Sequence, residues 1–171
     1  RSAVELAEAS GLSRLSADER DPVGASTTGT GEVIRAALDA GVRHMVLGIG
    51  GSATTDGGAG IVTALGAPAS RDGADALDLS GLDRRLAETS LRIACDVSNP
   101  LLGPSGAAPT YGPQKGATTV QVSDLDRRLA GWADRLEAER EPVAMHPRGQ
   151  LQRRSALARR GCVACRPRER A

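Results

Sequence analysis

Apolar residues along this chain recur at two spacings, one helical and one extended. Val33, Ala36, Ala37 and Ala40 fall on one helical face, which Leu38 widens. That spacing predicts a helix with Glu32 in its first turn, Thr28 or Thr30 as its cap and Gly41 as its stop. Residues 42–47 are short, contain the β-branched Val42 and Val46, and are bounded by glycine, so they predict a strand. A glycine-rich stretch follows, and residues 59–65 then read as a second helix that Gly66 ends. Residues 91–95 predict another strand, which delivers Asp96 at its carboxyl end. A long helix is expected over 120–139, where Val122, Leu125, Leu129, Trp132, Ala133 and Leu136 make one apolar stripe. Residues 4–7 fit either a strand end or a helix start. The stretches 16–31, 67–80 and 103–116 lack periodicity and read as loops. Helix, strand, glycine loop, helix is the rhythm of an α/β fold, with a parallel or mixed sheet and flanking helices.

Composition sharpens this picture. The chain has 171 residues but no Phe, one Tyr and one Trp, so Ala, Val, Leu and Ile must build the core, and modest stability is expected. No apolar run approaches the roughly 18 residues of a membrane span. Glu5 and Glu8 interrupt the first ten residues, which do not resemble a signal peptide. Three cysteines do not make a disulfide framework, and a cytoplasmic location is the expectation. Position 1 is Arg, which suggests a fragment whose beginning lies upstream.

Charge divides the chain in two. Residues 1–140 carry 14 Lys and Arg against 19 Asp and Glu, whereas residues 141–171 carry 8 Arg against 2 Glu. We therefore divide the chain into an α/β region, 1–139, and an Arg-rich tail, 140–171. The tail is either a nucleic-acid-binding arm or a stretch foreign to the design, disordered or translated out of frame.

The loop over 48–60 carries the strongest chemical signal. It follows a strand and precedes a helix, and it is rich in glycine and in hydroxyl groups. Backbone N–H groups in such a loop approach and attract anionic oxygens. Gly50, Gly51, Gly57 and Gly58 supply that backbone, Ser52, Thr54 and Thr55 could donate as well, and Asp56 could hold Mg²⁺. A tight turn without a ligand is the competing reading. The loop also loosely fits a dinucleotide fingerprint, but the acidic residues Asp72, Asp75 and Asp78 lie in a patternless stretch rather than at a strand end. Asp96 at the end of its strand could take a hydroxyl proton, bind a metal, or cap the following turn. Asn99 could bond a substrate or open the Asn99-Pro100 turn. Lys115, the sole lysine, suits an anionic ligand or the plain surface. Cys162 and Cys165 have the spacing of half a zinc site without a second pair. Cys95 is expected to be buried and His44 structural.

Three blocks together resemble the bacterial two-domain glycerate kinases. They are residues 28–38 (TGTGEVIRAAL), residues 48–60 (GIGGSATTDGGAG), and residues 95–101 (CDVSNPL) continued by 111–117 (YGPQKGA). The resemblance covers residues 3–139. It implies an α/β enzyme with its site between two domains, transferring the ATP γ-phosphoryl group to a hydroxyl of D-glycerate with Mg²⁺. On this pattern the glycine loop contacts the substrate carboxylate or phosphates, and Asp56 lies in the site. Asp96 acts as base or metal ligand, Asn99 contacts substrate, and Lys115 neutralises developing charge.

The chain departs from the family where Thr55 replaces Asn and Ser98 replaces Asp. The family's opening strand and everything past the long helix are missing. The resemblance therefore implies an inactive fragment, with no membrane partner and little place for nucleic acid.

Overall fold

The computed structural model describes residues 1–68 and 77–139. Strand β1 (Ser2–Glu5) runs directly into helix α1 (Leu6–Ser10), so residues 4–7 are both a strand end and a helix start. Helix α2 (Thr28–Asp39), strand β2 (His44–Gly48), helix α3 (Ala59–Ala64) and strand β3 (Ser90–Ala94) follow. A short helix α4 (Ala107–Tyr111) and the long helix α5 (Thr119–Ala138) complete the described chain. The three strands form one sheet in the order β1-β2-β3, and both pairings are parallel.

Two helices end by one device. Past α2, Gly41 adopts φ +80°, its N–H reaches the Leu38 carbonyl, and the Val42 N–H reaches Ala37. Past α3, Gly66 adopts φ +109°, with its N–H on Thr63 and the Ala67 N–H on Val62. This reciprocal pairing satisfies carbonyls that a helix end otherwise leaves open. It also explains why β2 starts at His44 rather than Val42, whose N–H is committed to the cap.

Burial is one-sided. Val4, Met45 and Leu47 point from the sheet to Leu6, Ile34, Leu38, Leu65 and Leu86, and together they form the main core. Gly31 lets α2 and α3 touch, since a Cβ there would lie 2.6 Å from that of Ala64. A smaller cluster of Ala108, Leu125 and Leu129 joins α4 to α5. Strand β3 is different: every residue from Leu91 to Ser98 is exposed. Cys95, expected to be buried, is therefore exposed, because no layer among the described residues covers the edge strand that precedes it.

Among the described residues no helix is long and apolar enough to cross a membrane. The Arg-rich tail over 140–171, with Cys162 and Cys165, lies outside the described residues, as do Asp72 and Asp75.

Candidate functional site

The glycine loop leaves β2 along the sheet, where the Ile49 N–H still pairs with the Ala94 carbonyl at 3.3 Å. It then turns at Gly51 (φ +68°) and is stitched to the segment after α1. Leu12 donates to the Gly51 carbonyl at 2.9 Å, and Ala53 donates to the Ser10 carbonyl at 2.9 Å. The Ser10 hydroxyl meets that of the fully buried Thr30 at 2.9 Å. The first turn of α2 is thereby tied to the loop's outer anchor.

Asp56 closes the loop. Its Oδ2 accepts from the Thr27 N–H at 2.8 Å, the Thr27 hydroxyl at 2.7 Å and the Gly60 N–H at 3.1 Å, while Oδ1 accepts from Gly58 N–H at 3.1 Å. One carboxylate thus serves the N-termini of α2 and α3 together, where negative charge is favoured. The cap is Thr27, one residue before Thr28 and three before Thr30, the two expected caps, and its acceptor comes from another part of the chain.

The glycines divide by task. At Gly57 a Cβ would lie 2.7 Å from Trp132 Cδ1, and Trp132 Nε1 donates to the Gly57 carbonyl at 3.1 Å, so this glycine serves packing on α5. Gly58 takes φ +86° to start α3. Gly50 and Gly51 are exposed, and nothing lies within 4 Å of a Cβ built on Gly50. Of their backbone, the Gly51 carbonyl accepts from Leu12.

Lys115 reaches the same loop from a 3₁₀ turn, Pro113–Lys115, that Gly116 ends at φ +95°. It is 7% exposed, and its ammonium donates to Ser52 Oγ at 3.0 Å and to the Thr54 carbonyl. Burial pushes its pKa below the ordinary lysine value, while the nearby Asp56 carboxylate pulls it back up.

Asp96 and Asn99 lie beyond the carboxyl end of β3, beside the strand that feeds the loop. Asp96 is exposed. Asn99 Oδ1 accepts from the Tyr111 hydroxyl at 2.8 Å, which joins the 95–101 block to the 111–117 block.

Sequence reasoning did not find a cavity of about 690 Å³ between residues 22–28, the start of α3 and α5. Thr55 and Asp56 reach it from the loop, and Trp132, Arg128 and Arg135 from α5; Asp96, Asn99 and Lys115 do not line it. The Arg135 guanidinium lies 5.6 Å from the Trp132 ring centre. Only the alternation of charge along α5 could have hinted at these arginines.

Thr27, beside the first block, and Lys115, in the third, therefore both bond the glycine loop, which is the second block. The profile of the glycerate kinase family matches residues 1–150. The chain belongs to that family. It is 46% identical to a glycerate kinase of Bacillus subtilis over 147 residues, which is 78% of this chain and 38% of the relative. It is 44% identical to glycerate 2-kinase of Escherichia coli over 144 residues, 77% of this chain and 38% of the relative. A crystal structure described as glycerate kinase 2 from Salmonella typhimurium LT2 superposes with a TM-score of 0.75 at 47% identity, covering 81% of this chain and 41% of that one. The chain thus spans about two fifths of the glycerate kinases it matches.

Proposed function

We propose that this chain carries part of the site of an enzyme that phosphorylates D-glycerate with ATP. The observation that supports it most is that Lys115 of the 111–117 block and Thr27, next to the 28–38 block, both bond the glycine loop while its Gly50 and Gly51 stay exposed. An open glycine backbone after a parallel strand suits a carboxylate or phosphate. The exposed Asp96 carboxylate stands at the end of the neighbouring strand, where it would take the proton of the attacking hydroxyl or hold Mg²⁺. Asn99, oriented by Tyr111, would bond the substrate, and the Lys115 ammonium adds positive charge to the loop.

The donor set fits Mg²⁺ in one mode. No group of three or more His, Cys, Asp or Glu gathers among the described residues. Mg²⁺ commonly uses one or two carboxylates with water and substrate phosphates, and there it neutralises charge on the transferred group. Asp96 fits that role. Asp56 does not, because its oxygens already accept four hydrogen bonds.

The reading is tested by replacing the matching segment of the E. coli glycerate 2-kinase with residues 3–139 and assaying D-glycerate with Mg-ATP. The chimera is expected to form phosphoglycerate, Asp96→Asn to abolish this, and the isolated chain to show none. A folded chimera that stays inactive after Ser98→Asp, or one indifferent to Asp96→Asn, overturns the assignment.

A further inference from the structure

Lys115 is the one lysine of the chain, and it is buried. A buried ammonium is costly unless its hydrogens are bonded. Here two of its three donors are used on a single short turn, Ser52 Oγ and the Thr54 carbonyl. The Ser52 hydroxyl donates to that same carbonyl at 3.2 Å, which closes a three-membered ring of polar groups across the turn. The lysine is itself held: its N–H reaches the Gly112 carbonyl at 3.0 Å, and Arg20 holds the neighbouring Gln114 carbonyl at 3.2 Å. At the far end of the loop Asp56 binds Thr27, Gly58 and Gly60. The loop is therefore fixed on both limbs by charged groups, while Gly50 and Gly51 stay exposed.

We propose that Lys115 is a positioning residue, whose ammonium clasps the Ser52–Thr54 turn so that the Gly50 and Gly51 amides stand ready for an anion before one arrives. The proposal rests on the reading of this loop as the anion-binding element. Preorganised amides need no rearrangement when charge develops near them, and this is where such a clasp gains its value. Lys115 acts through the loop and reaches no reacting atom in this role. Asp56 does the same for the C-terminal limb.

The sole lysine makes the test direct. The whole chain is labelled with ¹⁵N/¹³C-lysine, which gives one side-chain signal, and amide exchange is measured for the parent, Lys115→Met and Ser52→Ala. Methionine keeps the apolar stem and loses the donors. We expect the parent signal to titrate below the ordinary lysine value of about 10.4, with slowly exchanging ammonium protons. Exchange of the Ala53 amide should rise about tenfold or more in Lys115→Met, in keeping with the loss of bonds to a charged group. Ser52→Ala should have a smaller effect and add nothing to Lys115→Met, because the two share one unit.

A folded Lys115→Met chain with parent-like Ala53 exchange overturns the clasp. If that variant does not fold, an ordinary titration and fast ammonium exchange in the parent overturn it instead. An inactive chimera whose Ala53 amide remains protected would sink the kinase reading and leave the clasp intact.

Discussion

Met45 and Leu91 are register partners on adjacent parallel strands, so their side chains leave the same face of the sheet. Met45 is 2% exposed and Leu91 42%; the next pair, Leu47 and Ile93, repeats the contrast at 3% and 41%. The two strands have the same alternation and the same polarity. What separates them is coverage: α2 and α3 lie over β1 and β2, and no described element lies over β3. Alternation therefore tells which face of a strand is apolar, but not whether anything sits on it. Parallel sheets are ordinarily covered on both faces, and glycerate kinases slightly more than twice this length have chain to spare for it. The glycine loop lies at this boundary, anchored on the closed half and adjoining the open one.

The contrast can be broken most sharply by truncation. Leu38→Ala, at a 1% exposed site, should cost about 2–5 kcal/mol in a denaturant melt, whereas Ile93→Ala should cost under about 1 kcal/mol. Equal costs would mean that β3 is covered in solution. Gly31→Ala should be next. Although alanine favours a helix by about 1 kcal/mol, the Cβ would collide with Ala64 and Ile61, for a net loss of about 1–3 kcal/mol. Gly131→Ala, with nothing within 4 Å, should instead raise stability by up to about 1 kcal/mol. Asp56→Ala strands three backbone donors and the Thr27 hydroxyl, and should cost about 1–3 kcal/mol while leaving β3 exchange unchanged.

Two pH effects are smaller. The Arg85 guanidinium, bonded to the Asp83 side chain, holds the Asp83 pKa below the ordinary carboxylate range. A depressed folded pKa means that stability is present above the unfolded value and is lost as pH falls through the folded one. Asp83→Asn should therefore flatten part of the acid limb of a stability-against-pH curve. Lys115 has the opposite charge type and a lowered pKa. The folded chain gives up that proton before the unfolded chain does, so stability from this group rises with pH between the two values. The difference between the parent and Lys115→Met should grow across that window.

Much of the fold was legible because its signals are local. Gly41 and Gly66 mark helix ends with their own backbone, and the α5 stripe buries Leu125, Leu129 and Trp132 as its spacing requires. What escaped was set by distant partners. The start of α2 depends on the Asp56 carboxylate, 29 residues away, and the exposure of Cys95 on the lack of a covering layer over β3 among the described residues. The glycine loop was visible as a unit, but not the division of its glycines. Gly57 makes room for Trp132, a contact between residues 75 apart that no loop pattern reveals.

The most direct test is a titration of the ¹⁵N-labelled chain with D-glycerate and, separately, with Mg-ATP, followed residue by residue. The account predicts saturable shifts at the amides of Gly50, Gly51 and Ser52, with Asp96 and Asn99 responding alongside. Shifts confined to the cavity around Thr55, Arg128 and Arg135, with the Gly50 and Gly51 amides unmoved, would contradict it.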